Sequence, residues 1–179
     1  MSEIRARLDA RQLVRADFVQ TRTMADLQRP LVARGKLMVW APAGVIWRIE
    51  QPFRTAYVLR DESTIEIAAD GARSVRQARD DRGTARVGRI LRALLKGDTK
   101  ALDEWFDTDA RASAERWSIT LSPKPGAMAF FFKSLQLSGG DFVDRVLIEE
   151  ENGDSTQMLF RNQRDGDSPT DEERRLLTE

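Results

Sequence analysis

The stretch GKLMVWAPAGVIWRIEQP, residues 35–52, decides the fold prediction. Two apolar, β-branched segments flank Ala41-Pro42-Ala43-Gly44, which combines both residues that most strongly favour a turn. Each segment has the length of a strand and is too short for an isolated helix. The stretch therefore predicts an antiparallel hairpin.

Segments of the same kind follow on both sides of this hairpin. Short strands separated by tight turns indicate antiparallel neighbours and not alternating strand–helix units. We expect about five strands within residues 17–80 and about four within residues 107–163. A sheet of that width must curl.

Three further segments have helical character. Alternating apolar and charged residues predict an amphipathic N-terminal helix over 3–15. Two helices are predicted within 86–105. In the first, apolar residues recur at helical spacing from Val87 to Leu95 and Gly97 follows as a stop, and a second short helical segment runs from Lys100 to Trp105. A cap at Ser168–Asp171 begins a charged helix predicted over 168–178. With no linker or repeat, residues 1–179 are expected to form a single domain.

Composition excludes several kinds of site. The chain has no Cys and no His, so disulfides, thiolate nucleophiles, Ser-His-Asp triads and ordinary zinc sites are absent. Its 29 basic and 29 acidic side chains balance, which argues against a general nucleic-acid binder. Adjacent acids such as Asp103-Glu104 stand at segment ends, where they are ordinarily solvated. We therefore predict no enzyme, no catalytic or metal site and no cofactor.

Neither end of the chain fixes the compartment. No apolar run approaches the ~18–20 residues of a membrane span, and the start at Met1–Arg5 lacks the apolar core of a secretory signal. A mature exported protein given a new Met would begin in the same way. These observations therefore neither predict nor exclude export of the protein from the cytoplasm.

An apolar binding face is the remaining candidate site. The run from Met128 to Phe132 places bulky rings on both faces of a strand, and Met suits a surface that accommodates variable apolar shapes. Ordinary core packing explains any one of these residues equally well. The strand residues predicted to line a cavity are Phe18, Leu37, Trp47, Ile49, Tyr57, Phe130 and Phe132. The residues predicted to cover it from the helix are Ile90, Leu91, Leu94 and Leu95.

The order of these motifs resembles the lipoprotein-carrier family of Gram-negative bacteria, LolA with its receptor relative LolB. Phe18-Val19-Gln20 is similar to the Phe-x-Gln start of that family's first strand. The hairpin from Gly35 to Pro52 is similar to its Gly-x-Leu, Pro-turn and aromatic-Trp hairpin, and Leu121-Ser122-Pro123 to its Leu-x-Pro strand. Where family carriers often have an Arg that fastens the lid, this chain has Ala41, which indicates a divergent member.

The resemblance implies a mainly β fold with an α lid, in which a curved antiparallel half-open β-barrel wraps over an apolar cavity covered by helices. It also implies a periplasmic, monomeric carrier that takes acylated lipoprotein or other acyl-lipid cargo from an inner-membrane transporter to an outer-membrane receptor. Two alternatives remain: a lipid-anchored outer-membrane receptor of the same fold, and an interaction module that binds no lipid.

Overall fold

The protein is described by a computed structural model that covers residues 2–9, 11–60, 63–77, 103–125 and 132–178. Within these residues the chain forms one antiparallel sheet of eleven strands and two helices. The helices are α1 (Ser2–Asp9) and α2 (Asp171–Thr178). The strands are β1 (Leu13–Thr23), β2 (Leu31–Trp40), β3 (Gly44–Gln51), β4 (Thr55–Leu59), β5 (Ser63–Ala68), β6 (Arg73–Gln77), β7 (Phe106–Ala112), β8 (Trp117–Pro123), β9 (Phe132–Gly139), β10 (Val143–Glu150) and β11 (Ser155–Asp165).

The strand order is β6-β5-β4-β3-β2-β1-β11-β10-β9-β8-β7. Strands that follow one another in sequence pair with each other, except β6 and β7, and β1 also pairs with β11 in the middle of the sheet. The edges are therefore β6 and β7, which do not pair. An antiparallel sheet with two open edges confirms the predicted half-open architecture.

Alternation along the strands gives the sheet two different faces. In β3, Val45 and Trp47 belong to one apolar cluster, whereas Ile46 belongs to another. The first cluster joins side chains from strands near both edges, from β4 through to β7. A sheet this wide brings such residues together only by curling. We call the face of the first cluster the concave face and the opposite one the convex face.

Helix α2 covers the second apolar cluster, on the convex face. Leu177 is buried there among side chains of β1 to β5. The helix begins with a capping box, in which the Glu173 N–H donates to Thr170 Oγ1 and the Thr170 N–H donates to the Glu173 carboxylate. Arg15 of β1 donates from two nitrogens to the same carboxylate, at 3.1 and 2.6 Å. Glu173 thus both caps α2 and fastens it to the sheet.

The fastening of α2 predicts an acid-sensitive contribution to stability. The hydrogen bond from Arg15 lowers the pKa of Glu173 below its ordinary value, so its stabilisation is complete above about pH 4.3 and is lost as the pH falls through the folded-state pKa. We expect Glu173→Gln to lower the free energy of unfolding by about 1–2 kcal/mol at pH 7, with the difference from wild type shrinking toward pH 3. Urea denaturation across this pH range measures it.

The matched control is the neighbouring residue. Glu172 pairs with Arg48 at 2.8 Å, but 70% of its side chain and 40% of that of Arg48 are exposed. Since exposed ion pairs contribute below about 1 kcal/mol, Glu172→Gln should change stability little at any pH. Equal effects of the two variants would show that the Arg15 contact does not hold α2.

Several predicted boundaries were wrong. The helix predicted over 3–15 ends at Asp9, and Leu13 already begins β1, because its side chain packs in the convex cluster. The C-terminal helix begins at Asp171, after Thr170, and not at 168. The helical region predicted over 86–105 falls largely outside the described residues, of which 103–105 are helical before β7 begins at Phe106.

Two strands were missing from the prediction, which expected about nine. They are β6 and β7, the two edge strands. Residues 73–76 of β6 are all exposed, so the strand has no alternation of apolar and polar environment to signal it. In β7 only Phe106 is fully buried. Pairing with β5 and β8, and not intrinsic pattern, makes both segments strands.

Candidate functional site

The candidate site is the apolar concave face. A row of side chains crosses it at right angles to the strands, because Ala16, Leu37, Trp47 and Tyr57 are successive register partners in β1 to β4. The row continues to Glu66 in β5. It therefore passes from an apolar centre to a polar margin near the β6 edge.

Six of the predicted lining residues share this face. Phe18, Leu37 and Trp47 are buried in its cluster, and Ile49, Tyr57 and Phe132 are partly buried and packed against it. The Phe18 and Trp47 rings lie 5.0 Å apart at 54°, although their strands are separated by β2. The structure thus brings these side chains together. Whether they hold a ligand stays a prediction.

The other predicted residues lie outside the described part of the chain. They are Phe130 and the four helix residues Ile90, Leu91, Leu94 and Leu95. Their assignment to the cavity therefore stays a prediction too. Ala41, which replaces the family arginine, lies in the β2–β3 turn, where its N–H donates to the Gln12 carbonyl at 2.8 Å.

Sequence reasoning named only three of the seventeen buried residues that the structure describes in the concave cluster. Four of the missed residues lie in β1 to β4: Ala16, Val39, Val45 and Leu59. The other ten come from α1 and from β7 to β11: Ile4, Phe106, Trp117, Ile119, Leu121, Leu135, Leu137, Val146, Met158 and Phe160. In β8 the signal was available, since Trp117, Ile119 and Leu121 alternate strictly with polar residues. The second half of the sheet thus contributes as much to the face as the first.

Within the described residues, a cavity of about 40 Å³ lies beside the concave face, lined by Ala16, Leu37, Val39 and Phe160 among others. A water molecule needs about 10–15 Å³ by this measure, so the cavity has room for a few waters and not for an acyl chain.

Polar groups bound the face on the side of β5 and β6. Arg76 and Glu66 form an ion pair at 3.4 Å, next to Tyr57. Burial raises the pKa of Tyr57, and the Glu66 carboxylate raises it further, so the phenol is a neutral hydrogen-bonding group at physiological pH. Among the residues that the structure describes, no three acidic side chains lie close enough together to bind a metal ion.

A half-open antiparallel sheet with an apolar concave face defines a class of mainly β, curved-sheet proteins. The chain belongs to the family described as outer membrane lipoprotein carrier protein LolA-like, whose profile matches residues 1–163. The matched region contains β1 to β10 and all of β11 except its last two residues, and it excludes α2.

Comparisons with individual proteins agree with this family assignment. The outer-membrane lipoprotein carrier protein of Chromohalobacter salexigens is 27% identical over 147 residues, which are 81% of this chain and 67% of that protein. A LolA superfamily protein from Nitrosomonas europaea superposes with a TM-score of 0.55 at 10% identity, covering 99% of this chain and 97% of the other.

Two other solved structures share the fold. A lipoprotein-sorting protein domain from Vibrio parahaemolyticus, described as putative in its name, has a TM-score of 0.51 at 8% identity and covers 95% and 94% of the two chains. A chain of the MucA/MucB complex from Pseudomonas aeruginosa has a TM-score of 0.53 at 16% identity, covering 98% of this chain and 59% of that one. At these identities the likeness concerns the fold alone.

The family places the protein among carriers that sort lipoproteins. Carriers of this family are periplasmic and are not enzymes. In the described part of the chain, neither helix has the length and apolar character that crossing a bilayer requires.

Proposed function

We propose that the protein is a periplasmic carrier that shields the acyl chains of lipoproteins, or of a related acylated lipid, on its concave face during transport from the inner to the outer membrane. The observation that carries the proposal is the continuous apolar cluster on that face, contributed by strands of both halves of the sheet. Burying an acyl chain contributes about 0.8 kcal/mol per methylene, so such a chain does not cross water unshielded.

A carrier must release its ligand as well as bind it. Side chains of the face that pack on one another when no ligand is bound compete with the ligand, which favours release. Ile49, Tyr57 and Phe132 are only partly buried and are the side chains best placed to move first. Cargo would come from an inner-membrane transporter and pass to an outer-membrane receptor, with the carrier acting as a monomer.

The same packing favours a second function. An interaction module that binds no lipid would have a filled interior, and a cavity of about 40 Å³ fits that description. Uptake of lipid decides between the two functions, because only a carrier opens its interior to an acyl chain.

The test uses the full chain purified from a bacterial periplasm. Native mass spectrometry, followed by lipid extraction, should reveal a co-purifying acylated species, and the delipidated protein should bind a fluorescent fatty-acyl probe. A clean unliganded mass combined with no probe uptake would overturn the carrier function and support the interaction module.

A further inference from the structure

The indole N–H of Trp47 is buried without a hydrogen-bond acceptor. Trp47 is 0% exposed, in the centre of the concave cluster. Among the described residues, nothing accepts a hydrogen bond from its Nε1. Because buried polar groups are nearly always paired, an unpaired donor at this position calls for an explanation.

Trp117 shows that the concave face does not itself prevent such a bond. Trp117 lies in the same cluster and is 2% exposed. Its Nε1 donates to the Gly140 carbonyl at 2.7 Å. Within the described part of the chain, the two indoles therefore differ in one respect: Trp117 has a protein acceptor and Trp47 has none.

No described neighbour of Trp47 accepts a hydrogen bond from its indole N–H. Its register partners are Leu37 and Tyr57, and the nearest ring is that of Phe18, with centroids 5.0 Å apart. An aromatic ring is a weak acceptor compared with a carbonyl oxygen. The donor is thus available to a ligand atom that reaches the centre of the face.

The polarity of the row through Trp47 indicates what kind of ligand fits. On one side Leu37 and Ala16 line the small apolar cavity. On the other side Tyr57 is followed by Glu66 and its partner Arg76. The row therefore runs from apolar side chains, past a hydrogen-bond donor, to polar side chains. An acyl chain joined through a carbonyl to a polar head is complementary to this row, because its carbonyl acceptor also lies between an apolar and a polar part.

We infer that Trp47 is a specificity-determining residue, whose Nε1–H donates to the carbonyl oxygen of an ester- or amide-linked acyl chain. This inference rests on the proposed carrier function and names its ligand class. The hydrocarbon lies toward Leu37, and the head group lies toward Tyr57, Glu66 and Arg76. A chain linked through an ether lacks the acceptor and leaves the indole N–H unpaired.

The experiment compares two phosphatidylglycerols with the same head group and saturated 16-carbon chains, one a diester and the other a diether. Competition against a fluorescent fatty-acyl probe measures both affinities. We expect the wild-type protein to prefer the diester about 5-fold, the net worth of one hydrogen bond. Trp47→Phe should lose this preference, whereas Trp40→Phe, which removes an indole N–H on the convex face, should retain it.

A second measurement needs no variant. With ¹⁵N-labelled tryptophan in the wild-type protein, the indole N–H resonance of Trp47 should move downfield on adding the diester and not on adding the diether. Equal affinities of the wild-type protein for the two lipids, or a preference that survives in Trp47→Phe, would overturn the inference while leaving the carrier function standing. Failure to bind either lipid would overturn both.

Discussion

An Ile49→Glu variant is expected to bind a fluorescent fatty-acyl probe at least tenfold more weakly than the wild-type protein. Ile49 packs against the concave cluster but is only partly buried. In the unliganded protein the new carboxylate therefore keeps contact with water, and the fold survives. An acyl chain lying on the face would remove that water, and a carboxylate without a partner is costly to desolvate.

The control for this variant is Leu147→Glu. Leu147 is also partly buried, but it lies between Val146 and Ile148 of β10 and therefore faces the convex side. Fluorescence titration of both variants, with far-UV circular dichroism to verify the fold, separates loss of the binding face from general damage. Unchanged binding in Ile49→Glu would show that acyl chains do not lie on this face.

The second large effect is expected at the turn between β9 and β10. A Cβ added at Gly139 would lie 1.8 Å from the Phe142 carbonyl oxygen, a backbone atom that cannot move without opening the turn. We expect Gly139→Ala to lower the free energy of unfolding by about 3 kcal/mol. Urea denaturation monitored by tryptophan fluorescence measures the change.

The adjacent residue provides the matched control. A Cβ at Gly140 would meet the Glu115 carbonyl oxygen at 3.1 Å, a contact that a small shift relieves. Gly140→Ala should therefore cost less than about 1 kcal/mol. If the two substitutions cost the same, the close approach of Phe142 is not what requires glycine at position 139.

Much of the first half of the sheet could be predicted from sequence. The choice of face for Phe18, Leu37, Trp47, Ile49 and Tyr57 agrees with the structure, as does that for Phe132 in β9, since all six share one cluster. Turns containing Pro and Gly fixed the strand ends, and alternation then fixed the faces. The resemblance to lipoprotein carriers is confirmed by the family match over residues 1–163. That the whole chain is one domain stays a prediction.

The second apolar cluster was not predicted, although the sequence carried a signal for it. Leu37-Met38-Val39 and Val45-Ile46-Trp47 are apolar at every position, which indicates strands buried on both faces. Helix α2 covers this second cluster, but the sequence of a short charged helix does not indicate which surface the helix packs against. Only Leu176 and Leu177 of its eight residues are apolar. Tertiary contact, and not local pattern, places it there.

The pairing of β1 with β11 also determines the order in which the sheet can be completed. The first partner of β1 is β2, close in sequence, whereas its second partner is Ser155–Asp165, about 140 residues further along the chain. A chain emerging N-terminus first therefore holds β1 as an unpaired edge until almost all of it has appeared. Such an edge readily pairs with other chains. Truncation before residue 155 would therefore leave the second edge of β1 unpaired and the protein prone to aggregation.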